Sequence, residues 1–380
     1  MSERVAVLCW KSPYPIRGGL DLRVDGICRA LSASHEVVLI CMEGAQTGRP
    51  NYVSELLVAP QSHKFLNHEI LKWGLDHPQD PFGIFVNNVQ VKFLKNSLTS
   101  LNPKNVIISR TMMWRIYSET EYIPESSQIL DLDESSKRLH EAFLSSESLG
   151  PHIKFISSFH KRNIEYEKLA ISQADYVLVA SDLEKIECLK DKTREQILVI
   201  ENVVHAPSQE ERDNNTGRRV LFPGNFDYPP NREAMKEIVE DLAPNLPEFH
   251  FTIAGSGSLK KSSEVPNIDY KLNPESMDAY FLSADFLLAP IRFGAGTRLK
   301  VLEAMNFRTV VVATKFAVEG ILIEPGTHYY RAETSHDFIT ALRRLSDDAA
   351  LRRHLTHNAR EFIRQYHSPD VISVKLNSIL

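Results

Sequence analysis

One segment, PIRFGAGTRLKVLEAM at residues 290–305, holds the densest group of residues that could do chemistry. After a strand-like run, a glycine-spaced loop leads directly into a helix-like stretch. The loop consists of Gly294, Ala295, Gly296 and Thr297. Backbone amides at a helix start and the positive end of the helix dipole attract anions, and the cations Arg298 and Lys300 follow at once. The pattern predicts a diphosphate site.

Glu303 lies one turn further along the same predicted helix, inside the otherwise apolar run VLEAM. A carboxylate at this place is suited to the paired hydroxyls of a ribose. The alternative is that Thr297 only caps the helix while Arg298 and Lys300 are solvated. That alternative does not explain the carboxylate within the apolar run, so the segment predicts a nucleotide site.

Two other glycine loops follow predicted strands. Gly18 and Gly19 come after the first strand and would let a phosphate approach the backbone, although a tight turn explains them equally well. Gly255 and Gly257 follow a later strand, and Gly255 is predicted to contact the nucleotide, although a pair of turn glycines is the commoner explanation. Neither loop completes G-x-G-x-x-G, which disfavours an NAD-dependent oxidoreductase.

Asp131 and Asp133 lie two apart in the run ILDLDE and would share one face of a strand. The spacing is similar to the D-x-D metal pair of one class of sugar transferases. No third carboxylate or histidine stands nearby at a metal-ligand spacing, so we predict no metal. Both carboxylates are predicted to bind sugar hydroxyls and to act in catalysis, while capping or salt-bridged aspartates remain the alternative.

The elements that must position these residues are short apolar strands alternating with helices. The first series comprises residues 4–9, 36–42, 54–60, 105–110, 129–134, 176–181 and 197–203, and the second comprises 219–225, 249–255, 284–291 and 309–314. Continuously apolar runs separated by helices predict parallel sheets covered on both faces. Two doubly wound α/β units result, with ligands expected beyond the carboxyl ends of the strands.

The domain boundaries follow from a polar stretch between the two series. We predict an N-terminal domain at 1–205, a linker at 206–218 and a C-terminal domain at 219–361, with a last helix at about 362–380. The 380 residues carry 44 basic and 49 acidic side chains, a net charge of −5 that disfavours a nucleic-acid partner. No 18-residue apolar run or signal sequence is present, which predicts a cytoplasmic protein and leaves peripheral membrane contact open.

Several blocks together carry a resemblance that covers nearly the whole chain. They are PYPIRGGLDLRVDGICRAL, YVLVASDLEKIECL with IENVV, FPGNFDYPPN, and PIRFGAGTRLKVLEAMNFRTVVVATKFAVEGI. In these blocks the sequence resembles the retaining GT-B glycosyltransferases of family 4. The resemblance implies two Rossmann-like domains facing across a cleft, with the acceptor on the first, a nucleotide-sugar donor on the second and the last helix packed back on the first.

The resemblance also implies residue roles. Glu303 is similar to the second glutamate of the E-x7-E motif, which binds the donor ribose, whereas the first glutamate would fall on Ala295 and is absent. Gly18 and Gly19 match the loop near the donor phosphates, and Asn225, in the loop after the first strand of the second domain, is predicted to bind the donor. That loop lacks the usual Arg and Lys, and our own inference is that Arg298 and Lys300 replace them.

The activity implied by the resemblance is transfer of a sugar to an acceptor hydroxyl with retention, without a metal or a further cofactor. The protein would stabilise charge growing on the leaving diphosphate, a task for preorganised amides and for Arg298 and Lys300. A non-catalytic sugar-nucleotide-binding protein and a nucleotide-sugar epimerase are alternatives on the same fold. The sugar, the acceptor and the oligomeric state are left open.

Overall fold

The computed structural model describes residues 3–16, 18–45, 48–60, 67–77, 79–144, 153–204, 217–257 and 265–380. Its described part contains two all-parallel sheets, one in each half of the chain. Most of the predicted linker lies outside the described residues.

The first sheet has seven strands in the order β3-β2-β1-β4-β5-β6-β7. Its strands are β1 (Arg4–Lys11), β2 (Glu36–Glu43), β3 (Glu55–Val58), β4 (Asn105–Ser109), β5 (Ser127–Leu132), β6 (Tyr176–Val179) and β7 (Ile197–Val199). Separate apolar clusters cover its two faces, which is why these strands are apolar at successive positions.

The second sheet has six strands in the order β10-β9-β8-β11-β12-β13. Its strands are β8 (Arg219–Asn225), β9 (His250–Ser256), β10 (Ile268–Leu272), β11 (Phe286–Ala289), β12 (Val310–Ala313) and β13 (Tyr330–Arg331). In both sheets the chain starts in the middle, builds one edge and then returns to build the other. The resulting switch point lies beside β1 in the first sheet and β8 in the second, and it is where doubly wound folds bind ligands.

The helices cover these sheets. They are α1 (Gly19–Leu31), α2 (Asn67–Asp76), α3 (Asn88–Leu101), α4 (Thr111–Ser118), α5 (Ser136–Leu144), α6 (Ile153–Gln173), α7 (Asp182–Cys188), α8 (Pro229–Glu237), α9 (Asp278–Ser283), α10 (Leu299–Asn306), α11 (Ser335–Asp347), α12 (Ala349–Tyr366) and α13 (Pro369–Leu376). Single 3-10 turns lie at Gly83–Phe85, Arg194–Gln196, Ala243–Asn245 and Phe316–Val318, and α8 continues into a π-helical turn at Ile238–Leu242.

The chain's end differs from the single predicted helix at 362–380. Two helices, α12 and α13, are separated at His367 and Ser368, because Pro369 has no amide hydrogen to continue α12 and instead opens α13. Ile372 and Leu376 of α13 join the apolar cluster that covers the first sheet on the α1 side. Lys375 Nζ donates to Glu201 Oε1 at 2.6 Å. The last helix therefore packs back on the first half of the chain.

Candidate functional site

At two positions of the glycine loop before α10, the backbone has a conformation that only glycine adopts easily. Gly294 has φ +130° and Gly296 has φ +73°. A Cβ at Gly294 would lie 2.9 Å from Arg298 Nη2 and 3.0 Å from the Tyr228 hydroxyl, so the loop is also tightly packed. That hydroxyl accepts a hydrogen bond from the Ala295 amide at 3.1 Å. The loop is thus held in one shape at the amino end of α10.

Arg298 is hydrogen-bonded to backbone carbonyls of this loop. Its Nη1 donates to the carbonyl of Ala295 at 2.5 Å and to the carbonyl of Gly296, and the residue is 9% exposed. Burial lowers the pKa of its guanidinium. The structure therefore places Arg298 against the loop's own carbonyls, and its contact with a diphosphate stays a prediction. Thr297 does not cap α10, because the helix begins two residues later with Arg298 at the N-cap.

Lys300 forms no ion pair with the described residues, although the charge of Glu303 favours its protonated form. Its Nζ donates to Asn231 Oδ1 at 2.8 Å and lies 4.6 Å from the centre of the Phe222 ring. Burial lowers its pKa to about 7, and the nearby Arg298 charge adds to that effect. An anion bound here would stabilise the protonated form. A diphosphate is such an anion.

Glu303 lies one turn after Lys300 on α10. Burial raises the pKa of its carboxyl to about 8, the charge of Asp278 adds to this, and Lys300 opposes it. A half-buried carboxyl with a pKa raised in this way can accept or donate a hydrogen bond near neutral pH. It is therefore suited to hydroxyls, as predicted from its place in the sequence.

The carboxyl end of β8 lies beside Lys300. Asn231 Nδ2 donates to the backbone carbonyl of Asn225 at 2.9 Å, which ties the loop after β8 to α8. A Cβ at Gly224 would lie 3.3 Å from Lys300 Nζ, so this glycine leaves room for the cation. Asn225 Oδ1 accepts from the Asp227 amide, which makes its side chain part of the turn.

Gly255, predicted to bind the donor, has another function in the structure. Its φ is +148°, and a Cβ there would lie 1.9 Å from the carbonyl oxygen of Gly224 on the neighbouring strand. The glycine permits close approach of β9 and β8. This close approach accounts for the glycine, and its contact with a donor stays a prediction.

The glycine loop of the first half lies against the start of α10. A Cβ at Gly19 would lie 3.1 Å from Leu299 Cδ1, at the first residue of α10. The Gly18 amide donates to Asp21 Oδ2 at 3.1 Å, and among the described residues beyond its chain neighbours no atom lies within 4 Å of the place its Cβ would take. The two loops predicted from sequence thus meet at the start of α10.

Glu134 and Arg110, at the ends of β5 and β4, approach the same loop from the first half. A Cβ at Gly296 would lie 3.4 Å from both Cβ and Oε2 of Glu134. Arg110 Nη2 is 2.7 Å from Asp133 Oδ2 and 3.5 Å from Glu134 Oε1. Burial raises the pKa of Glu134, and the charges of Arg110 and Arg298 oppose that shift. Glu134 is a candidate site residue that the sequence pattern did not predict.

The prediction that Asp131 and Asp133 meet one ligand does not match this geometry. Asp131 is fully buried, and its Oδ1 accepts from Nε and Nη2 of Arg23 at 3.2 and 2.8 Å. Arg23 also donates to Asn202 Oδ1 at 3.3 Å and to the carbonyl of Ile200. Asp131 therefore supports the interior beneath the site. Asp133 lies at the site, but its carboxylate forms an ion pair with Arg110.

A signal for the missed residues was present in the sequence. The carboxyl ends of adjacent parallel strands meet at one edge, so Arg110 after β4 and Glu134 after β5 are expected near each other. Their approach to Gly296 depends on how the two halves pack, which no strand pattern specifies. Tyr228, which holds the Ala295 amide, likewise becomes visible only when β8 and β11 are neighbours.

Within the described residues, no group of three or more His, Cys, Asp or Glu side chains is arranged to hold a metal ion. None of the helices in the described ranges is long and apolar enough to cross a membrane.

The architecture defines the class of protein. Two parallel sheets with Rossmann strand order and facing glycine loops form the GT-B fold. Sucrose-phosphate synthase from Thermosynechococcus elongatus superposes with a TM-score of 0.73 at 14% identity, covering 99% of this chain and 98% of that one. Anabaena HepE in complex with UDP and glucose superposes with a TM-score of 0.67 at 13% identity, covering 98% of each chain.

The family match is confined to the second half. Residues 217–348, which contain the glycine loop, Lys300 and Glu303, match the family described as glycosyl transferases group 1. A curated relative, an uncharacterized 44.6 kDa protein in the cps region of Klebsiella pneumoniae, is 27% identical over 170 residues. That match covers 40% of this chain and spans 44% of the relative's length.

Proposed function

We propose that this protein transfers a sugar from a nucleoside-diphosphate donor to an acceptor hydroxyl. The observation that carries the proposal is the arrangement at the start of α10, where Lys300 forms no ion pair with the described residues and lies beside the rigid loop at Gly294 and Gly296. The group 1 match over this part of the chain supports it, as does the UDP and glucose bound by the structurally similar HepE.

The proposed chemistry needs charge stabilisation on the donor side. As the bond between the anomeric carbon and the diphosphate oxygen breaks, negative charge grows on the diphosphate, and Lys300 with the loop amides would stabilise it. A cation and amides fixed in place beforehand need no reorganisation during the step. We propose on this ground that the reaction needs no metal ion.

Retention of anomeric configuration is part of the proposal. Asp133 is paired with Arg110 at 2.7 Å and Asp131 is fully buried, so neither is positioned as a free base for the acceptor. The leaving diphosphate oxygen would take the proton of the acceptor hydroxyl, while the acceptor oxygen bonds to the anomeric carbon on the same face. This front-side course agrees with the resemblance to retaining enzymes.

The test is a panel of UDP-glucose, GDP-mannose and dTDP-glucose, each beside its bare diphosphate. Bound donor should raise the melting temperature by mass action. Product analysis by NMR with an acceptor library, with and without chelator, should show a retained anomer in both cases. Binding without turnover on any acceptor would favour a sensor, and a changed sugar without acceptor would favour an epimerase.

A further inference from the structure

The loop after β5 places one carboxylate, that of Glu134, beside the glycine loop before α10, which belongs to the opposite half of the chain. Glu134 Oε2 lies 3.4 Å from the place that a Cβ on Gly296 would occupy, and its side chain is 23% exposed. Among the described residues, no group donates a hydrogen bond to this oxygen. Oε2 therefore faces the gap between the halves as a free acceptor.

The position of Glu134 is fixed on both sides. On one side, Asp133 is held by Arg110 at 2.7 Å. On the other side, the Ser136 amide donates to Glu167 Oε2 at 3.0 Å, which anchors the start of α5 from α6. These two anchors hold the backbone on either side of Glu134 and so limit the positions that its carboxylate can take.

We infer that Glu134 recognises hydroxyl groups of the transferred sugar, and so selects the donor from the acceptor-side half. The inference rests on the proposed function. If a diphosphate lies against the amides of Gly296 and Thr297 and the ammonium of Lys300, the sugar attached to it must extend beside Gly296. Glu134 borders that space, and a carboxylate accepts hydrogen bonds from sugar hydroxyls.

Gly296 fits the same arrangement. With φ +73° it occupies the left-handed region, and any side chain there would project towards Glu134. The absence of a side chain keeps open the space between the two halves. The structure thus combines an open position on one side with a fixed acceptor on the other.

The test compares the Glu134→Gln variant with wild type by calorimetric titration. The probes are the diphosphate that binds in the panel of UDP, GDP and dTDP, and its hexose conjugate. Glu141→Gln on α5 is the matched control, because that side chain is 61% exposed and lies on the same helix-loop unit. Melting temperatures verify that each variant is folded.

We expect Glu134→Gln to weaken binding of the nucleotide sugar about tenfold while leaving the bare diphosphate within about twofold of wild type. Glu134→Asp, which keeps the charge but shortens the reach, should show the same selective loss. Equal affinity changes for both probes, or none, would overturn the inference. If wild type binds no member of the panel, the proposed function itself fails, which is a different result.

Discussion

Replacing Lys300 by methionine should make the unliganded protein more stable and the donor site weaker. Burial lowers the pKa of Lys300 from 10.5 to about 7. At 1.36 kcal/mol per pKa unit, holding this side chain in the folded state costs about 4 kcal/mol at pH 7. The variant loses the hydrogen bond to Asn231 and the contact with the Phe222 ring, about 1 kcal/mol each. The net gain is about 2 kcal/mol.

The sign of the pH dependence follows from the lowered pKa. In the unfolded chain the lysine is protonated below pH 10.5. The free-energy cost of holding Lys300 in the folded state is therefore largest below pH 7 and declines as the pH rises from 7 towards 10.5. At pH 9 it is about half its value at pH 7. The stability advantage of Lys300→Met should therefore nearly vanish at pH 9.

Donor binding should change in the opposite sense. A charge-assisted contact between Lys300 and a diphosphate contributes about 1.5–3 kcal/mol, so Lys300→Met should weaken binding of the diphosphate roughly ten- to hundredfold. Urea unfolding at pH 7 and 9 measures the first effect, and calorimetry with UDP, GDP and dTDP measures the second. Lys236→Met on α8, where the side chain is 69% exposed, is the control. A variant that is less stable at pH 7, or that binds diphosphate like wild type, would refute the reasoning.

Three other predictions concern the same framework. Burial raises the pKa of Glu303 to about 8, so the stability of wild type relative to Glu303→Gln should fall as the pH rises from about 4.5 to 8 in urea titrations; a constant difference would be contrary. Gly255→Ala should cost several kcal/mol because its Cβ meets backbone at 1.9 Å, whereas Gly326→Ala, with φ +79° and open space, should cost about 1 kcal/mol; equal costs would dismiss the packing argument. Glu319→Gln removes an ion pair with Arg138 between the two halves. The free energy of unfolding should change by less than about 1 kcal/mol, and the rate of sugar transfer should depend less on salt concentration. An unaltered salt dependence of the transfer rate would contradict this prediction.

The sequence predicted most of the fold because buried parallel strands are apolar at every position. All eleven predicted strand segments are strands in the structure. The strands that were missed are edge strands: β10 alternates with exposed Asp269 and Lys271, and β13 has two residues. Edge strands bury less surface, so their residues carry a weaker apolar signal.

The site was predictable only where one segment contains it. The glycine loop, Lys300 and Glu303 lie within ten residues, and a helix start brings them together. Asp131 shows the limit, because the strand pattern gives the face of a carboxylate but not the presence of Arg23 behind it. Glu134 lies far from the loop in sequence, and only the packing of the two halves brings it close.

The most direct measurement of the central claim is a structure of the protein with a bound nucleoside diphosphate from the panel. We predict diphosphate oxygens at about 3 Å from the amides of Gly296 and Thr297 and from Lys300 Nζ, with the ribose hydroxyls at Glu303. A diphosphate bound away from the start of α10, with Lys300 still paired only with Asn231, would contradict it.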